Sequence, residues 1–128
     1  MNRRSTLVLA VVTSPLGVLL VHRLDRIPPV MLPGARPEEG EQPTATAERG
    51  ALEDARVRVR AGRLLAHHTA EDGRTALYLA ARPLDEVTED AVAMSLHVGW
   101  YSLEQVAMLL PDLPAPVRRH LERSIPRR

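Results

Sequence analysis

Glu41, Arg49, Glu53 and Asp54 are the residues whose types and spacing suit metal and phosphate chemistry. The stretch Thr44–Ala55 is helix-compatible, with Ala45, Ala47, Ala51, Leu52 and Ala55 spread through it. Gly50 is its weak point, because a mid-helix glycine costs about 0.5–1 kcal/mol relative to alanine. On that helix positions 50, 53 and 54 share one face. Glu53 and Asp54 can therefore converge on a hard divalent cation. Mg²⁺ takes a few carboxylates and fills its shell with phosphate oxygens and water. Glu41 lies in the loop before the helix and can reach the same ion. Arg49 stands four residues before Glu53, in range of an ion pair that aims the carboxylate. By residue type alone, an ordinary charged helix face is the simpler reading of all four.

Composition removes several other chemistries. The chain has 128 residues, 45% hydrophobic and 26% charged, which suits one globular domain over residues 1–128. It has no cysteine, so disulfides, thiolate metal sites and cysteine nucleophiles are excluded. All 17 basic residues are arginine, which excludes a lysine Schiff base or a P-loop lysine. Against 16 acidic residues they leave a net charge of +1, which argues against a nucleic-acid binder.

The spacing of the whole stretch Ala35–Val57 (ARPEEGEQPTATAERGALEDARV) resembles the Nudix box. That pattern is Gly, five residues, Glu, seven residues, then Arg-Glu-aliphatic-x-Glu-Glu-x-Gly-aliphatic. Glu41, Arg49, Glu53 and Val57 match it; Asp54 and Ala51 are conservative replacements. Ala35, Gly50 and Arg56 depart from it. The flanks are also similar to Nudix domains. Gly17–Val21 followed by Pro28-Pro29-Val30-Met31-Leu32-Pro33-Gly34 looks like the strand and proline-rich entry before the box. His97–Glu104 (HVGWYSLE) looks like a late strand with Trp before a Ser-Leu helix start.

The resemblance implies an α/β fold: a Nudix-type α/β/α sandwich with a mixed central sheet. The box helix should lie on one side and the C-terminal helices on the other. It also implies Mg²⁺-dependent hydrolysis, with Mn²⁺ as a substitute, of a nucleoside diphosphate linked to another group. The metal would be held by Glu53, Asp54 and Glu41, with Glu53 and Arg49 in catalytic roles. The metal neutralises phosphate charge and activates water for in-line attack. The partner is then a small-molecule nucleotide, in a cytoplasmic protein.

Gly50 stands where many family members have a glutamate acting as base or ligand, and glycine can do neither. Loss of a positioned base typically costs about 10²–10⁴-fold. The alternative is therefore a catalytically weakened Nudix domain that binds a nucleotide or a partner, and Gly50→Glu is expected to separate the two. Glu86, Glu89 and Asp90 are downstream substitutes for the base.

Other residues point elsewhere. His67 and His68 are adjacent on a strand and face opposite ways, against a shared metal. Arg58, Arg60 and Arg63 can hold phosphates, but a solvated strand face explains them better. Trp100 and Tyr78 can stack on a base, and sheet packing is the better reading for Trp100. Ser102 and Ser124, near His97 and His120, form no triad.

The elements that position the box follow from patterning. Thr6–Val21 is a run of 16 residues without a charge. It is short of the roughly 20 that span a bilayer as a helix, and Pro15 and Gly17 punctuate it. Two buried strands, Thr6–Thr13 and Gly17–Leu24, fit better, turning at Ser14–Leu16. A membrane-anchored accessory protein is the competing reading. Arg56–Arg60 alternates as a strand, and Leu64–His68 continues or restarts it. The Asp72-Gly73 pair predicts a hairpin into Thr75–Ala81. Asp85–Ala93 reads as loop plus a short helix, and Leu96–Tyr101 as a last strand. Ser102 and Gln105 form a capping box for a helix ending before Pro111. Pro116 opens a last helix through Ser124, with Val117, Leu121 and Ile125 on one stripe.

Overall fold

The computed structural model describes residues 5–23, 25, 29–87 and 97–125. Strand β1 (Thr6–Ser14) is the centre of the molecule. Its residues are apolar almost without interruption, as a strand covered on both faces requires. Val8, Ala10 and Val12 feed one core, and Leu9 and Val11 feed the other. At its end Ser14 Oγ accepts the Leu16 N–H (3.0 Å), and Gly17 takes φ +122° to enter β2 (Gly17–His22).

The predicted strands Thr6–Thr13 and Gly17–Leu24 are thus present, the second described to His22. Two short strands follow, β3 (Val30–Met31) and β4 (Gly34–Ala35), pairing with β2 and β1. Next comes helix α1 (Pro43–Ala55), then a hairpin of β5 (Val59–Thr69) and β6 (Thr75–Pro83). Strand β7 (Val98–Tyr101), helix α2 (Leu103–Leu109) and helix α3 (Ala115–Ser124) close the order.

The sheet is mixed, as expected. Its order is β3-β2-β1-β6-β5, with β4 added to β1 and β7 to β2. The β1–β6 pairing is parallel and runs from Thr6↔Thr75 to Val12↔Ala81. Helix α1 packs on one face through Ala47, Ala51 and Ala55, spaced four apart. Helices α2 and α3 cover the other face through Val106, Val117, Leu121 and Ile125. The chain is an α/β/α sandwich with the helices on the sides expected. No described helix is long and apolar enough to cross a membrane.

Two local expectations change. The strand predicted from Arg56 starts at Val59, because Arg56 takes a left-handed conformation (φ 58°) at the end of α1. Strand β5 is continuous through Gly62, with register shifts on either side of Leu64. Most of Asp85–Ala93 and the beginning of Leu96–Tyr101 lie outside the described residues.

Candidate active site

Helix α1 and the loop before it place the box side chains in two groups. The first is built on Arg49. Its Nε donates to Glu41 Oε2 (2.9 Å) and its Nη2 to Glu41 Oε1 (2.9 Å). Nη1 donates to Glu53 Oε1 (2.8 Å), and Nη2 also reaches the Arg36 carbonyl (2.7 Å). Glu41 further accepts from Thr46 Oγ1 (2.7 Å) and the Glu38 N–H (3.1 Å). The Arg49 guanidinium, helped by these two donors, holds the Glu41 carboxyl down at about 2, although partial burial opposes this. The same contacts raise Arg49 above its ordinary value. The expected Arg49–Glu53 ion pair is present. Glu41 turns to Arg49, so one guanidinium holds both Glu41 and Glu53.

The second group is built on Asp54, whose side chain is 14% exposed. Its Oδ2 accepts the Gly34 N–H (3.1 Å), and Oδ1 is ion-paired with Arg23. Glu53, 57% exposed in its side chain, and Asp54 open onto one cleft of about 450 Å³. His22, Arg23, Asp25 and His97 line it with them. None of those four was assigned to the site from sequence. The only signal was that polar residues abruptly end the apolar run of β2 at His22-Arg23. His22 stacks on Tyr101 and hydrogen-bonds its hydroxyl. Gly99 leaves room for this, because a Cβ there would lie 3.0 Å from the Tyr101 ring.

Gly50 has a steric role. A Cβ at this position would lie 2.6 Å from the Gly34 carbonyl carbon. Helix α1 thus rests on the backbone of β4, and a glutamate at 50 cannot be restored without moving one of them. Gly50→Glu therefore cannot serve as the discriminating test. Of the substitute bases, Glu86 is exposed beyond β6, and Glu89 and Asp90 lie outside the described residues.

A sequence model of the NUDIX domain matches residues 1–124. The chain belongs to the NUDIX domain family. No curated protein matches it. Its fold is similar to that of a NUDIX hydrolase from Nitrosomonas europaea, at 18% identity over 94% of this chain and 86% of that one, with a TM-score of 0.64. It is also similar to an ADP-ribose pyrophosphatase from Streptococcus suis, at 20% identity over 91% and 84%, with a TM-score of 0.59. A UDP-X diphosphatase shows 19% identity over 91% and 59%, with a TM-score of 0.61.

Within this Nudix fold the remaining sequence expectations find their places. His67 and His68 are exposed on β5, and no group of three metal-capable side chains occurs among the described residues. Trp100 packs against the α1 core and Tyr78 against the opposite one. Ser102 caps α2: its Oγ accepts the Gln105 N–H (3.2 Å), and Gln105 Oε1 accepts the Ser102 N–H (2.9 Å).

The donor set still fits a hard divalent ion. Glu53 and Asp54 supply carboxylate oxygens from adjacent positions to one cleft, and Mg²⁺ often takes only one or two carboxylates.

Proposed function

We propose that this chain is a Mg²⁺- or Mn²⁺-dependent pyrophosphohydrolase of a nucleoside diphosphate derivative, working in the cytoplasm. The opening of Glu53 and Asp54 onto one cleft beside Arg23 carries this reading. Glu53 and Asp54 would hold the cation. When bound, it supplies charge neutralisation at the diphosphate and a more acidic water for in-line attack. Arg49 fixes the Glu53 rotamer through a charge-assisted bond, and Glu41 fixes Arg49. Arg23 is a guanidinium in the cleft that can transfer its bond from Asp54 to a phosphate oxygen.

The steric exclusion at Gly50 favours a second reading. With no acidic side chain at that position, the domain is a weakened enzyme that binds nucleotides. Both readings are tested by offering Mg²⁺ with nucleoside triphosphates, dinucleotides and nucleotide sugars, ADP-ribose and UDP-linked compounds included. Turnover that falls roughly 10²-fold or more in Glu53→Gln supports the enzyme. Silence together with a nucleotide-dependent rise in melting temperature supports the binder. Neither turnover nor stabilisation sinks both.

A further inference from the structure

The face between β5, β6 and α3 collects five arginines and one histidine. Val59, Ala61 and Ala81 point into the α1 core, so Arg60 and Arg82, their neighbours in the chain, point to the α3 side. The two arginines are paired directly across the strands. Like charges in that position destabilise a sheet. The register shift between Ala61 and Leu64 adds a residue that re-aims the chain, and Arg63 there reaches His120 Nδ1 (3.5 Å). Helix α3 adds Arg119 and Arg123, a like-charged i, i+4 pair. With Arg63 these two line a cavity of about 160 Å³ floored by Leu64, Leu65 and Pro116.

No carboxylate among the described residues neutralises this face. Arg60, Arg63, Arg82, Arg119 and Arg123 have no carboxylate in ion-pair range among the described residues, whereas Arg58, just before β5, is paired with Asp85. The acidic residue of α3, Glu122, lines the groove toward α2 with Arg118. The chain as a whole carries only +1, so the concentration is local. Convergent guanidiniums around a small cavity match a compact oxyanion, whose oxygens accept forked N–H pairs.

We propose that this face binds a small, multiply charged phosphate-type oxyanion, with pyrophosphate as its simplest representative, at a site separate from the α1 cleft. It does not depend on the hydrolase reading. His120 is its built-in reporter. Burial, together with the charges of Arg63, Arg123 and Arg82, holds the imidazole below its ordinary value. Its contact with Ser124 Oγ (3.4 Å) therefore makes a poor base rather than a nucleophile pair. An anion among the arginines offsets their charge and raises its basicity.

The test is a metal-free titration with sodium pyrophosphate, ionic strength held constant with sodium chloride, following the His120 ring protons by NMR. A saturable response is expected, with the His120 titration midpoint moving up by about one pH unit. In Arg119→Gln/Arg123→Gln the saturating concentration should rise roughly tenfold or more, while Glu53→Gln leaves it unchanged. A response no different from chloride alone overturns the proposal, and so does one confined to His22 and His97. Saturation by a single-stranded oligonucleotide at roughly tenfold lower phosphate concentration also overturns it, assigning the face to nucleic acid.

Discussion

Glu41 shows how a residue from the box can act through another residue. Its carboxyl lies at about 2 in the folded chain, against an ordinary 4.5. A depressed carboxyl stabilises the fold fully above 4.5, and that contribution is lost as pH falls from 4.5 toward 2. After solvent screening the effect is on the order of 1–2 kcal/mol. Urea unfolding between pH 7 and pH 2 should therefore show a loss in that window, and Glu41→Gln should flatten it. An unchanged acid limb in the variant would remove Glu41 from this role. Gly50 gives the second prediction at this scale. Alanine is the better helix former by about 1 kcal/mol. Yet Gly50→Ala should destabilise by about 1–3 kcal/mol, because its Cβ meets the Gly34 backbone. Equal or greater stability in urea would refute the close approach. The Arg49–Glu53 pair was legible in the sequence because i, i+4 spacing is local. The bonds of Asp54 to Gly34 and Arg23 were not, since they span 20 and 31 positions and depend on how β4 docks.

Elements were readable wherever local chemistry and tertiary demand agree. The Val/Leu runs of β1 and β2, the turn residue Gly73 at φ +87° and the Ser102–Gln105 box each appear where expected. Elements of two residues were not readable. Strands β3 and β4 exist because the sheet offers them partners, and no periodicity fits in two positions. The end of α1 shows why the Arg/Val alternation does not become strand at Arg56. Its N–H closes the helix on Leu52 O (3.0 Å), and it then turns left-handed, a conformation that costs a residue with a Cβ about 1 kcal/mol or more. Glycine, which the box has here, avoids that strain. Arg56→Gly should accordingly raise stability by about 1 kcal/mol and the melting temperature by roughly 4 °C. A lower melting temperature would mean that the Arg56 side chain contributes more than its backbone costs.

At the scale of the whole molecule, one sheet serves two cores, and adjacent residues feed different ones. Leu19 is fully buried against the α1 side and Leu20 fully buried against α2 and α3. Truncating either to alanine should cost about 2–5 kcal/mol. That is a large share of the 5–15 kcal/mol typical of a domain. Because β1 and β2 carry residues of both cores, a cavity on one face should be felt on the other. The single tryptophan allows this to be read. Trp100 sits opposite Leu19 in the sheet register and reports the α1 side. Leu20→Ala removes volume from the far side. Its Trp100 fluorescence midpoint in urea should nevertheless fall together with the far-ultraviolet circular dichroism midpoint, as one cooperative transition. A fluorescence midpoint left at the native value while dichroism moves would mean that the layers unfold separately. Helix α1, and with it the Glu53–Asp54 cleft, would then be insulated from the arginine face on α3.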